Sequence, residues 1–256
     1  MIPQFGNVET QLTLWMIAMI RPGAAFLVAP VFANSSVPVQ LRLVLAAAIG
    51  IPAAAAVQLV VPQSGVLSVE GILMLMAEVL AGLAIGFALQ IGFAAAQVAG
   101  EVISNAMGLG FAAMTNPMGG QASPAVGQFL ALLATFLFLA TDGHLALASI
   151  LVDSYRALPP GAWLSANAIG GLLQFGSLVF SAGLVIALPV GFALILVQII
   201  MGLVARSAPT LNLFSVGLPA TLLAGIILLA IGTPVMADSI QDVLSQALIT
   251  AGRTAG

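Results

Sequence analysis

The chain has 256 residues, 61% of them hydrophobic and only 5% charged, with eight acidic residues, five Arg, one His and no Cys. A soluble domain carries roughly 25% charged residues, so this composition and a mean hydropathy of +1.21 describe an integral membrane protein. They exclude a basic face for nucleic acid as well as disulfides and thiolate metal sites, and one His without Cys cannot make an ordinary zinc site.

The N-terminal stretch MIPQFGNVETQLTLW has no basic residue ahead of its apolar run, so the first apolar segment is expected to be retained rather than cleaved. Runs long enough to cross about 30 Å of hydrocarbon lie near 10–33, 41–61, 70–100, 126–152, 171–204 and 214–237. They lack period-two alternation and are too long for barrel strands. The expected fold is an all-α integral membrane protein with about six long, partly broken apolar helices.

Within the first segment Pro22 removes a backbone donor and Arg21 places a guanidinium among apolar residues, at a cost of several kcal/mol if it faced lipid. Arg21 must therefore be buried against a protein partner or lie away from the bilayer centre. The following turn, ANSSVPVQLR, offers Asn34, Ser35 and Ser36 as caps and Pro38 near the first turn of the second segment. The third segment, from Glu70 to about Asn105, would rise about 54 Å as one helix, so it must tilt, break or project from the membrane. Its Gly82/Gly86 and Ala96/Gly100 pairs suit close helix approach. Glu78, Gly86, Gln90, Gln97, Glu101 and Asn105 recur at spacings that share one helix face. In the fourth segment Gln128, Thr135, Asp142, Ser149 and Asp153 form a second polar stripe. The stripes fit an aqueous path or helix-to-helix hydrogen bonds.

Between these two segments stands MGLGFAAMTNPMGG, residues 107–120. A loop between membrane helices is usually polar, yet this one carries Met107, Leu109, Phe111, Met114 and Met118 beside Gly108, Gly110, Gly119 and Gly120. Asp142 and His144 in TDGH read as a proton relay or as polar groups satisfying backbone freed where Gly143 interrupts a helix. The last two segments are joined by a tight hairpin with Arg206, Pro209 and Asn212 at its tip. Arg42 and Arg206 balance Arg156 and Arg253 across the two faces, so positive charge does not orient the chain. No phosphate loop and no positioned nucleophile with His are present, and the chain is read as a non-enzyme without cofactors.

In order and spacing, RPGAAFLVAPVFANSSVPVQLRLVLAAAIG, TDGHLAL and GLVARSAPTLNLFSVGLP resemble the FliR family of flagellar biosynthetic proteins and their injectisome relatives, over nearly the whole chain. Gln40 departs from the pattern where a basic residue is expected, and Gln198 where a shorter polar or acidic residue is. The resemblance implies a non-enzymatic subunit of a type III secretion export gate in the bacterial inner membrane, within the flagellar basal body. One such chain would assemble with five FliP-like and four FliQ-like subunits, FlhB-like and FlhA-like export components and rod-base proteins, and pass exported unfolded proteins. Residues 1–165 would be FliP-like and 166–256 a FliQ-like helical hairpin with a C-terminal tail, with part of the gate above the membrane plane on the periplasmic side. Residues 107–120 would plug the pore. The alternative is a small-solute or ion transporter with broken helices around Arg21, Asp142 and His144.

Overall fold

Long apolar stretches punctuated by Pro, Gly and Ser become nine helices and no strand among the described residues of the structure, a computed structural model that describes 8–57, 65–110, 125–207 and 213–256. In chain order they are α1 (Val8–Val28), α2 (Pro30–Ala33), α3 (Val39–Ala56), α4 (Val69–Ala106), α5 (Ala125–Ala140), α6 (Gly143–Ala157), α7 (Ala166–Ser177), α8 (Val179–Ser207) and α9 (Leu213–Thr254). Their starts follow local chemistry. Ser68 precedes α4 and accepts the Gly71 amide on its hydroxyl at 3.0 Å, and Ser165 does the same for Ala168 before α7 at 3.1 Å, each filling an orphan donor of a first turn.

Among the described residues, four helical stretches are long and apolar enough to cross a membrane: Thr10–Val28, Val69–Ala106, Ala166–Ser207 and Gly217–Thr254. The broken pair α5 and α6 makes a fifth if it is one span. The expected second segment gives an apolar helix from Val39 to Ala56, a rise of about 27 Å, and the stretch that follows it, 58–64, lies outside the described residues. The third runs unbroken for 38 residues, which removes the broken alternative and leaves tilt or projection. The last helix extends well beyond 237, because Met236, Ile240, Leu244, Ala247 and Ala251 keep a buried face at helical spacing while Asp238 and Gln241 are exposed.

The chain forms two compact units, the first from Met1–Ile91, Thr141–Ser177 and Ser245–Gly256, the second from Gly92–Ala140 and Leu178–Leu244. The first has an alanine-rich core, with Ala18, Ala25, Ala46, Ala81 and Ala88 buried beside Phe26, Ile85 and Leu151. Small residues here let backbones meet. A Cβ on Gly82 would strike the Arg21 carbonyl, and one on Gly50 the Ala18 carbonyl. In the second unit Ile103, Leu130, Phe138, Ile186 and Leu194 are buried. Phe93 meets Phe138 edge-on at 5.7 Å, and a Cβ on Gly100 would strike the backbone of Gly127. The small pairs of α4 thus serve close approach to α1 at Gly82 and to α5 at Gly100.

The turn before α3 departs from expectation. Pro38, not Asn34 or a serine, stands at the N-cap, and it makes no side-chain cap bond. Asn34 spends its side-chain carbonyl on the Ser36 amide at 2.9 Å, a local Asx turn that competes with capping. Arg42 reaches back and donates to the carbonyls of Asn34 at 2.7 Å and Val37 at 3.2 Å.

Candidate functional site

Two polar sites stand out in an apolar molecule, one in each unit. The first begins with Pro22, inside α1. A proline has no N–H for the carbonyl four residues earlier, here Ala18. That carbonyl instead accepts the Tyr155 hydroxyl of α6 at 2.7 Å. Next to it Arg21 and Glu78, both wholly buried, form a two-pronged pair: Nε donates to one carboxylate oxygen at 2.9 Å and Nη2 to the other at 2.8 Å. Arg21 also donates to Ser154 Oγ at 3.1 Å and the Leu158 carbonyl at 3.0 Å. Its guanidinium carbon lies 4.3 Å from the centre of the Tyr155 ring. Glu78 accepts a further bond from the Gly161 amide at 3.0 Å.

Four of the five guanidinium N–H groups are thus used, and the ring covers a face that would otherwise lack a partner. Of the two expected alternatives, burial against protein holds for Arg21, and the protein is its own chain: Glu78, Ser154 and Tyr155 supply what lipid cannot. Such a closed set positions α1, α4 and α6 and holds its charges in place.

The second site is the C-terminal end of α4. Gly108 has φ +80°, the left-handed conformation that glycine adopts without steric cost. Around it the Met107 amide donates to the Ile103 carbonyl at 2.9 Å, Gly108 to Asn105 at 3.0 Å and Leu109 to Ser104 at 3.0 Å. The last two bonds define a Schellman stop. The motif itself supplies no donor to the next two carbonyls. Gln198 of α8 donates to that of Ala106 at 2.6 Å, and Thr221 of α9 to that of Met107 at 3.3 Å. Met107 is buried, and its side chain occupies the space above Gly225, where a Cβ would come within 2.6 Å of its Cγ and Cε.

The predicted site residues scatter over these surroundings. Met107, Gly108, Leu109 and Gly110 belong to the end of α4 and the turn after it. Phe111, Met114, Met118, Gly119 and Gly120, with Pro209 and Asn212 of the hairpin tip, lie outside the described residues. Of the α4 stripe, Glu78 joins the buried pair, Gln90 is half-buried, and Gln97, Glu101 and Asn105 are exposed. Asp142 stands at φ 57° between α5 and α6 and makes no side-chain cap bond. Its carbonyl accepts the Leu145 and Ala146 amides, the first backbone bonds of α6. His144 is half-buried, with no partner for Nδ1 among the described residues. Arg206 is exposed in the last turn of α8. Among the described residues no three His, Cys, Asp or Glu side chains gather as metal ligands.

Sequence reading missed Ser154, Tyr155 and Thr221. Tyr155 was findable in kind, since Pro22 orphans the Ala18 carbonyl and a buried donor must be found for it.

The family model described as bacterial export proteins, family 1, matches residues 12–247. The chain is 36% identical over 236 residues to the flagellar biosynthetic protein FliR of Escherichia coli (strain K12), an alignment covering 92% of this chain and 90% of that protein. It is 38% identical over 182 residues to the protein of that name from Pectobacterium carotovorum subsp. carotovorum, covering 71% and 70%. With the one from Bacillus subtilis (strain 168) it shares 28% identity over 240 residues, covering 92% of each.

Proposed function

The chain belongs to the bacterial export proteins, family 1, and is a subunit of the flagellar export apparatus; from that premise we propose that it forms part of the protein-conducting pore in the inner membrane and that residues 107–120 plug it. The observation that carries this reading is the end of α4. A 38-residue helix stops at Gly108 in a Schellman turn, and the stop is tied to α8 and α9 by Gln198 and Thr221. An oily segment thereby leaves a fixed point. Methionine packs against changing surfaces through its unbranched, polarizable side chain, which suits a seal that must exclude ions and yield to an unfolded polypeptide.

In this reading residues 1–165 play the part of a FliP-like protomer and 166–256 that of a FliQ-like hairpin with its tail. Five FliP-like and four FliQ-like subunits surround the chain, and FlhB-like, FlhA-like and rod-base proteins complete its contacts, with part of the assembly on the periplasmic side. The chain itself carries out no chemistry and takes no cofactor. The exposed apolar surface of the last helices supports such neighbours: Leu223, Ile226, Ile227 and Ile231 of α9 are all exposed on the chain.

The test is deletion of 111–120 in the co-expressed complex, with complex yield and small-ion conductance measured on the same preparation. Intact complex with raised conductance is expected. Intact complex at unchanged conductance rules out the plug as the main seal, and collapsed complex makes the loop a packing element.

A further inference from the structure

We infer that Gln198 is the positioning residue of the loop that follows α4, with Thr221 as its weaker second; the inference rests on reading residues 107–120 as the plug. Gln198 lies in the run ALILVQIIMGLV of α8, flanked by Ile195, Leu196, Ile199 and Ile200, all exposed. A primary amide on so apolar a helix is costly unless it is bonded. Its Nε2 reaches the Ala106 carbonyl at 2.6 Å, across 92 residues of sequence. Since a carbonyl only accepts, the amide nitrogen must be the end that faces it.

Thr221 contributes less. Its single hydroxyl proton is shared between the Leu218 carbonyl at 3.0 Å and the Met107 carbonyl at 3.3 Å, and the nearer acceptor takes the larger part. One turn further along α9, Gly225 leaves the space that the Met107 side chain fills. The first residue of the loop is therefore held by its backbone and its side chain at once. A displacement of α8 that breaks the Gln198 bond frees the Schellman turn from one of its two ties and moves the point from which the loop departs.

The chain has no cysteine, so Leu109→Cys supplies a single thiol just past the tie. In the co-expressed complex, the maleimide labelling rate of Leu109→Cys is measured with Gln198 native, with Gln198→Met, which keeps length without a donor, and with Gln198→Lys. The last restores an N–H donor and brings positive charge to the negative end of the α4 dipole. Conductance is measured on the same three backgrounds and on the 111–120 deletion. Gln198→Met is expected to raise the labelling rate about fivefold, the population shift of one lost hydrogen bond, and to raise conductance, while Gln198→Lys returns both toward native. An unchanged labelling rate in intact Gln198→Met complex overturns the inference. So does faster labelling with flat conductance when the deletion itself leaks. Should the deletion not leak, the plug reading fails by itself, and the labelling rates alone uphold or overturn the positioning role. If Gln198→Met does not assemble, Gln198→Asn, whose amide falls one methylene short, is measured against the same outcomes.

Discussion

Arg21 and Glu78, 57 residues apart in sequence, meet with wholly buried side chains through two bonds of 2.9 and 2.8 Å. The pair joins α1 to α4 where the backbones also touch, since Gly82, one turn after Glu78, leaves room for the Arg21 carbonyl. Charge and shape therefore fix the same helix crossing. A buried ion pair need not stabilise relative to apolar replacements, but losing one partner leaves an uncompensated charge.

Glu78→Ala is accordingly expected to destabilise the protein by roughly 3–5 kcal/mol, and the double change Arg21→Met with Glu78→Met by much less. Thermal unfolding of the purified complex in detergent checks this. If the double variant melts no higher than the single one, the two side chains are not coupled as the geometry requires.

Tyr155 and Pro22 make a second coupled pair, through the Ala18 carbonyl. Tyr155→Phe removes only the hydroxyl and leaves that carbonyl unsatisfied, a loss of about 1–3 kcal/mol. In a Pro22→Ala background the helix regains its own N–H at position 22, so the same substitution is expected to cost about 1 kcal/mol less. A double-mutant cycle read by thermal unfolding gives the coupling directly. A value of zero would mean the hydroxyl does not serve that carbonyl.

The all-helical membrane fold was legible because hydropathy alone carries it, and Arg21 announced itself as a charge in an apolar run. The partner of Arg21 was not legible. Glu78 sat in a stripe that also holds the exposed Gln97, Glu101 and Asn105, and helical spacing shows which residues share a face but not which of them a neighbouring helix covers. The end of α9 was missed for a related reason. Hydropathy falls after 237 while the four-residue spacing of Met236, Ile240 and Leu244 continues, and period rather than mean hydropathy marks an amphipathic helix. Gln198 showed only as a departure from a family pattern, because nothing local points from α8 to the end of α4.

At the end of α4, Gly108→Ala is expected to cost about 1–2 kcal/mol, the penalty for a side chain in the left-handed region. The added Cβ would also come within 2.8 Å of Leu218 Cδ2. Because that methyl ends a flexible side chain, Leu218→Ala should relieve only the contact and leave the backbone penalty. Unfolding midpoints of the two single variants and the double variant separate these contributions, and complete rescue by Leu218→Ala would refute the conformational account.

Arg206 stands exposed in the last turn of α8, where a positive charge is worth about 0.3–1 kcal/mol against the helix dipole. If the tip contacts another export component, Arg206→Glu should reduce complex yield or export far more than that local loss allows. Motility and co-purification of neighbouring subunits measure it. A modest loss of helix stability with unaltered assembly and export would make the tip a turn and nothing more.

Glycines distinguish surfaces already occupied within the chain from those left for neighbours. A Cβ on Gly82 meets the Arg21 carbonyl and lies 2.9 Å from the Ala24 Cβ, and since neither backbone nor an adjacent Cβ can swing aside, Gly82→Ala is expected to cost roughly 3 kcal/mol. Gly170 and Gly171 in α7 are exposed with nothing within 4 Å of an added Cβ. In the isolated chain their replacement by Ala should stabilise the helix by about 0.5–1 kcal/mol each. In the assembled complex the sign becomes informative. If a subunit helix seats its backbone on α7, the same methyl groups must collide with it, and the double Ala variant should lower complex yield while leaving the isolated chain at least as stable as before. Measuring both preparations therefore tells whether α7 meets a protein neighbour at these glycines: equal or higher yield in the complex means that it does not.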